Sequence, residues 1–168
     1  MAVSPIRLPL VAAAFAFFVT VPLPASLLAA PAVAAPQVTD AWVRLPAVAG
    51  RPAGGYFTAH GGSAADTLLS VTSPGAERIE THTMVQDGAT MKMRAEPRVA
   101  LPAGGTLQFA PGGRHLMLFG LEAGLKPGDR LPLTFRFESG ATVTVEAEAR
   151  AAGAPAGNAP APASQHQH

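Results

Sequence analysis

The sequence contains no cysteine among its 168 residues. This absence excludes disulfide bonds, and it excludes an electron-transfer copper site, because that class needs a cysteine thiolate ligand. Charge is also scarce: charged residues make up 14% of the chain, with twelve Lys and Arg against eleven Asp and Glu. With no basic stripe and only 6% aromatic residues, the chain lacks the features of a nucleic-acid-binding protein.

Residues 1–35 are nearly free of charge and are predicted to be a secretory signal peptide. Arg7 is the only charged residue before Asp40, and it precedes an apolar run from Leu8 to Val19. The small residues Ala32-Val33-Ala34 fit a cleavage site, so the mature chain is expected to begin near position 35 or 36. An uncleaved anchor is the alternative, but the apolar run is short and interrupted by prolines. The protein is therefore expected in the periplasm or another extracytoplasmic space.

Residues 36–150 form the predicted folded domain, and their pattern is typical of an all-β protein. Frequent glycine and proline leave no useful amphipathic helical period, whereas apolar and polar residues alternate from Leu131 to Phe137 and from Val143 to Ala147. Between these runs, Ser139-Gly140 predicts a hairpin turn. Many short strands at this spacing predict a β-sandwich or barrel. The other predicted strands are 38–45, 55–60, 67–72, 76–85, 90–95, 106–109 and 115–121.

Residues 151–168 contain only small and polar residues with proline, and they carry no Asp, Glu, Lys or Arg. Such a composition cannot bury a core, so this segment is predicted to be a disordered tail. It ends in Gln-His-Gln-His.

Methionine, apart from the initiator, is confined to positions 84–117, with His82 just before this stretch and His115 within it. A protein that used methionine as core filler would be expected to scatter it along the chain. Thioether and imidazole together form a neutral, soft donor set, which suits Cu(I) better than Zn(II) or Mg(II). The candidate donors are His82, Met84, Met91, Met93, His115 and Met117.

The segment 81–93 predicts how the first four donors are arranged. Asp87-Gly88 is a strong two-residue turn signal, and pairing outward from it sets Met84 opposite Met91 and His82 opposite Met93. Because side chains alternate along a strand, these four donors would share one face, with no Asp or Glu interleaved. A slip of one residue in this pairing would send every ligand to the wrong face.

His115 and Met117 are two residues apart, so they would also share a face of one strand. Ordinary alternatives exist, because a strand methionine usually fills a core and a lone histidine is usually a hydrogen-bonded core or surface residue. The joint pattern favours a metal site. By contrast, His60 is expected to be a surface loop residue, and Trp42 and Tyr56 are expected in the core.

The spacing His82, ten residues, Met93, twenty-one residues, His115, one residue, Met117 matches the H-x10-M-x21-H-x-M pattern of the PCuAC family of exported copper chaperones. The chain resembles this family over about residues 37–150, including segments 80–84, 87–94, 101–105 and 111–118. The resemblance implies a cupredoxin-like Greek-key β-sandwich in which these four residues bind Cu(I). Met84 and Met91 would then be near-site residues that pack the site or take the copper during transfer.

The resemblance also implies a function: a monomeric copper metallochaperone that delivers Cu(I) to the copper-bearing subunit of cytochrome c oxidase or to another copper chaperone. The tail histidines His166 and His168 could capture Cu(II) on a flexible arm. Two other functions stay open: copper storage, resistance or scavenging, and a metal-free extracytoplasmic β-sandwich that acts as a binding module. An enzyme is not expected, because no carboxylate, Ser/His pair or cofactor motif accompanies the donors.

Overall fold

The computed structural model describes residues 34–155, and these residues form ten β-strands and no helix. The strands are β1 (Gln37–Arg44), β2 (Ala53–His60), β3 (Asp66–Thr72), β4 (Ala76–Asp87), β5 (Thr90–Ala95), β6 (Val99–Leu101), β7 (Thr106–Phe109), β8 (His115–Leu121), β9 (Arg130–Phe137) and β10 (Thr142–Arg150). Nothing within this range is a helix long and apolar enough to cross a membrane. The predicted signal peptide, apart from its last two residues, and His166 and His168 of the tail lie outside the described residues.

The predicted all-β class is confirmed, and nine of the strands agree with the expected ones to within about two residues at most bounds. Strand β6 was not predicted. It has only three residues, and the Pro-Ala-Gly-Gly segment that follows it reads as a turn. A period of two cannot be recognised in so short a run.

The strands form one sheet in the order β5-β4-β8-β2-β1-β10-β9-β3-β6, and β7 pairs with β2 beside this path. All pairs are antiparallel except β1 with β10, which run parallel. The strands that matter for the site are β5, β4, β8 and β2, which lie side by side at one end of this order.

The core lies on one face of the sheet, which folds over on itself. Phe57 on β2 stacks on Phe109 with ring centroids 4.1 Å apart, and it meets Phe135 on β9 edge-on at 4.7 Å. Strands β2 and β9 are not neighbours in the sheet, so this second contact crosses the interior. The core is aliphatic and aromatic, and none of the methionines among residues 34–155 belongs to it.

The opposite face carries a smaller aromatic cluster. Trp42 and Tyr56 are buried as expected, with ring centroids 4.4 Å apart, but they lie across the sheet from the core residues Val43 and Phe57. Arg44 covers both rings, with its guanidinium carbon 5.2 Å and 5.4 Å from the two centroids. This outer face also carries the candidate donors.

Candidate metal site

The centre of the site is a pair of histidines on neighbouring strands. His82 of β4 lies directly opposite His115, the first residue of β8, and their ring centroids are 6.1 Å apart. Both are largely withdrawn from solvent: His115 is 9% exposed and the His82 side chain 15%. The antiparallel register thus places two imidazoles side by side in a poorly hydrated position.

A turn before β8 fixes the orientation of the His115 ring. Gly112 has φ 84°, and the Gly113 amide donates to the Ala110 carbonyl at 3.0 Å, which closes the turn. The Gly113 carbonyl then accepts a hydrogen bond from His115 Nδ1 at 3.0 Å. Because a carbonyl can only accept, Nδ1 carries the proton, and the lone pair of Nε2 is left for a ligand.

Glu80 holds the His82 ring in a complementary way. His82 Nε2 donates to Glu80 Oε2 at 3.0 Å, so the lone pair lies on Nδ1. That Nδ1 is buried and has no hydrogen-bond partner within residues 34–155. The hydrogen bond from His82 holds the pKa of the Glu80 carboxyl below its ordinary value, and Arg78, 3.0 Å from Glu80, acts in the same direction.

The two rings therefore offer one free nitrogen lone pair each, and both protonated nitrogens are already bonded to oxygen. An acceptor that has no donor partner in a buried position costs free energy unless something binds it. A metal ion that needs neutral imidazole ligands fits this arrangement, and the hydrogen bonds from the opposite ring nitrogens are the usual support of such ligands.

Met117 lies next to this pair on the same face. It is two residues after His115 on β8, opposite Glu80 on one side and Gly54 of β2 on the other. It is partly exposed. Met117 is therefore two residues, about 7 Å along the strand, from the row formed by His82 and His115.

The hairpin register differs from the predicted one. The two loop residues are Gly88 and Ala89, with Asp87 paired to Thr90, so the turn is centred one residue later than expected. Gly88 has φ 61°, the only positive value within this loop, so it suits the first position of a type II′ turn, which favours glycine. As a result, His82 faces Ala95, and the predicted pairing of His82 with Met93 is wrong.

When the turn moves by one residue, each residue of β4 pairs with a residue of β5 two positions further along. Because side chains alternate, a shift of two leaves every side chain on its predicted face. Met93 lies directly opposite Met84, and Met91 lies opposite Gln86. Met93 is thus diagonal to His82 and two residues along the strands from the histidine row, on the side away from Met117. Of the candidate donors, the structure makes His82 and His115 direct neighbours and sets methionines on both sides of them.

Two contributors were missed from the sequence. The expectation that no carboxylate shares the donor face is wrong, because Glu80 lies on it and contacts His82. Its position two residues before His82 was the signal, since it gives both side chains the same face. The Gly113 carbonyl could not have been found, because its role depends on the conformation of the turn.

A further ion pair ties the two halves of the site together. Arg114, next to His115, donates to both carboxylate oxygens of Glu96 at 2.8 Å and 3.2 Å, and the Glu96 amide donates to the Thr81 carbonyl at 2.8 Å. The start of β8 is thereby fixed to the segment that follows β5.

His60 does not join the site. Its two ring nitrogens lie 3.3 Å and 3.4 Å from the hydroxyls of Thr39 and Thr106. His60 is the last residue of β2 and is partly buried, so the expectation of a surface loop residue is wrong. Within residues 34–155, no group of three or more His, Asp or Glu could hold a metal ion.

Comparison with known proteins agrees with this architecture. The model of the family described as "Putative lipoprotein LpqE-like" matches residues 37–149. The chain belongs to the LpqE-like family. It is 37% identical over 107 residues to "Putative lipoprotein Lxx21020" of Leifsonia xyli subsp. xyli, an alignment that covers 63% of this chain. The chain spans 64% of the length of that relative, less than two thirds.

The solved structures that resemble this LpqE-like chain include three copper-related domains or proteins. The copper-bound PCuAC domain from PmoF2 has a TM-score of 0.59 at 25% identity, covering 71% of this chain and 96% of that domain. The apo PCuAC domain from PmoF1 has a TM-score of 0.58 at 27% identity, with the same coverage. Cu(I)-bound DR1885 from Deinococcus radiodurans has a TM-score of 0.54 at 28% identity, covering 75% and 83%. The predicted cupredoxin-like fold and the resemblance to PCuAC domains are confirmed.

Proposed function

We propose that the protein is an exported copper metallochaperone that binds one Cu(I) through His82, Met93, His115 and Met117. It would deliver the ion to the copper-bearing subunit of a respiratory oxidase or to another copper chaperone. The observation that carries this proposal is the histidine pair, in which each ring keeps one lone pair free while its other nitrogen is held by an oxygen.

The donor set suits a carrier of Cu(I). Thioether sulfur is soft and binds without losing a proton, and neutral imidazole also binds as it stands. Binding and release then need no change of protonation at the ligands. Four neutral donors without a thiolate would hold Cu(I) less firmly than a thiolate site, so an acceptor richer in thiolate could remove it.

The relatives support the proposal in two ways. The structurally similar domains include copper-bound and Cu(I)-bound forms, which makes copper the first ion to test. The name lipoprotein, given to a relative and to the family, supports a location of this protein outside the cytoplasm. None of the 168 residues here is a cysteine, so none of them could carry a lipid on a cysteine thiol.

The decisive experiment is an anaerobic titration with Cu(I), followed by native mass spectrometry and X-ray absorption. We expect high-affinity binding of one ion by both nitrogen and sulfur. The double variant His82→Ala/His115→Ala should lose this binding, whereas His60→Ala, which changes a histidine outside the site, should retain it. Undiminished loading of the double variant would contradict the assignment.

Delivery is tested separately from binding. Loaded protein is mixed anaerobically with a purified oxidase fragment that contains the CuA ligands, the two proteins are separated, and the copper bound to the fragment is measured. Binding without any transfer would favour copper storage or scavenging. Repeating the titration with Cu(II) on His166→Ala/His168→Ala tests whether the tail captures that ion.

A further inference from the structure

The β4–β5 hairpin carries more thioether sulfur than the four-ligand site uses. We propose that Met84, Met91 and Met93 form a second Cu(I) position, made of thioethers alone, at the exposed edge of the sheet. Copper would pass through it between the histidine pair and a partner protein. This inference rests on the proposed function, because it adds a second binding position to the same transfer route.

The burial of these residues excludes a role as core filler. Met91 is 52% exposed and Met93 48%, which places both among the few large apolar side chains left in solvent within residues 34–155. All six residues of β5 are exposed, and none of the three methionines belongs to the core cluster. An apolar side chain held in water gains nothing from burial, so packing does not explain the methionines at 91 and 93, while Met84 is partly buried outside the core.

The register brings the three sulfurs within reach of one ion. Met84 and Met93 are directly opposite, which sets their Cβ atoms about 4.5–5.5 Å apart. Met91 is two residues from Met93 on the same face, about 7 Å along the strand. Methionine is unbranched and has three rotatable side-chain bonds, so three such neighbours can converge on a single ion.

The chemistry of the position selects Cu(I). Gln86, which lies opposite Met91 on the same face, is uncharged, and the charged residues of β5, Lys92 and Arg94, point to the other face. Lys92 is occupied by an ion pair with Asp87. Three neutral thioethers favour a soft monovalent ion over zinc or magnesium, which prefer nitrogen and oxygen.

Met93 connects the two positions. It is the methionine of the four-ligand site nearest the hairpin, and it is also the direct partner of Met84. Copper can therefore move by ligand exchange: the bonds to His82, His115 and Met117 break as bonds to the sulfurs of Met84 and Met91 form, while Met93 stays bound. The ion remains Cu(I) and no proton is transferred. The receiving position lies on β5, which pairs only with β4 among the described strands, so a partner can approach it.

The test compares the full-length protein with Met84→Leu/Met91→Leu, which keeps side-chain volume and removes two sulfurs. Under anaerobic Cu(I) excess, native mass spectrometry should show a second, more weakly bound ion on the wild type, held by Met84 and Met91 while Met93 stays with the first ion, and a single ion on the variant. Transfer from singly loaded protein to the chelator bathocuproine disulfonate should slow about tenfold in the variant. Arg94→Gln, on the other face of β5, is the matched control and should behave as the wild type. The urea midpoint of each variant checks folding.

Three outcomes overturn the inference. These are a wild type that binds one ion only, a variant that transfers at the wild-type rate, or a variant that loses the first ion as well, which would place Met84 or Met91 in the histidine site. Failure of the proposed function looks different: the wild type would then bind no Cu(I), or would bind it independently of His82 and His115.

Discussion

His82 and His115 face each other across β4 and β8 with ring centroids 6.1 Å apart, and oxygen atoms from Glu80 and Gly113 hold the two rings. The free lone pairs are thus oriented before any ion arrives. Such preorganisation reduces the side-chain ordering that binding would otherwise require.

The first prediction concerns Glu80. Replacing Glu80 with Ala removes the hydrogen bond that orients the His82 ring, which is 3.0 Å long. Partners of metal-binding histidines typically contribute about 10–100-fold in metal affinity. We therefore expect Cu(I) affinity to fall at least about tenfold in a competition titration against a Cu(I) chelator.

The matched control is Glu138→Ala. Glu138 also forms an ion pair, with Arg98 at 2.5 Å, but on the loop after β9 rather than at the site. Its loss should leave Cu(I) affinity unchanged. An affinity of Glu80→Ala within twofold of the wild type would mean that the His82 ring does not need this partner.

The second prediction concerns Gly55, which lies on β2 opposite Leu116. A Cβ placed on Gly55 would be 2.9 Å from a methyl carbon of Leu118 and 3.0 Å from the Leu116 Cβ. Since Leu116 separates His115 from Met117, the clash would both strain the core and displace donors. We expect Gly55→Ala to lower the free energy of unfolding by about 1–3 kcal/mol in urea titrations.

Gly153→Ala provides the comparison, because a Cβ there would meet nothing within 4 Å. It should unfold at the wild-type urea concentration. Equal midpoints for the two variants would show that β2 and β8 can separate without cost at Gly55.

The third prediction concerns pH and Asp66. Burial acts to raise the pKa of this carboxyl, but hydrogen bonds from Ser139 and Thr67 outweigh it and hold the pKa below its ordinary value. A lowered folded-state pKa stabilises the fold above the unfolded-state pKa, and this contribution is lost as pH falls through the folded-state value. Asp66→Asn should therefore be less stable than the wild type at pH 7, and the difference should shrink below about pH 4.

Urea titrations across this pH range measure the effect, and Ser139→Ala should reproduce part of it because it removes the Oγ–Asp66 hydrogen bond. A stability difference between wild type and Asp66→Asn that stays constant with pH would contradict the assigned role.

Many of the strands could be predicted, because each buries one face and so alternates apolar with polar residues. The alternation from Leu131 to Phe137 is a direct consequence of that burial, and the structure buries Leu131, Leu133, Phe135 and Phe137. The pairing of β4 with β8 could not be predicted, since no local pattern specifies which distant strand lies alongside. That His82 lies opposite His115 could therefore be seen only in the structure.

The register of the β4–β5 hairpin could not be predicted from its local sequence alone. Asp87-Gly88 and Gly88-Ala89 are both acceptable two-residue loops, and the choice depends on which position adopts positive φ. The structure gives that conformation to Gly88 as the first loop residue. The predicted register paired each residue of β4 with a residue two positions away from its actual partner on β5. The cross-strand pairs were therefore wrong, but the candidate donors still share one face.

The fourth prediction tests this register with engineered cysteines, which is a clean experiment because the chain has none. Met84 and Met93 are directly opposed, and the Cα atoms of such a pair lie about 4.5–5.5 Å apart, within the range for a disulfide. Met84→Cys/Met93→Cys should therefore oxidise readily to an intramolecular disulfide, measured as the loss of two thiols by mass spectrometry after alkylation.

His82→Cys/Met93→Cys is the matched comparison, because it would be the opposed pair if the turn were centred on Asp87-Gly88. In the observed register these two positions are diagonal, which sets them about 7–8 Å apart, beyond the reach of an unstrained disulfide. We expect this variant to keep its free thiols under the same mild oxidation. Rapid disulfide formation in this variant, with Met84→Cys/Met93→Cys remaining reduced, would contradict the observed register. It would support the pairing predicted from the sequence, in which Met93 lies directly opposite His82.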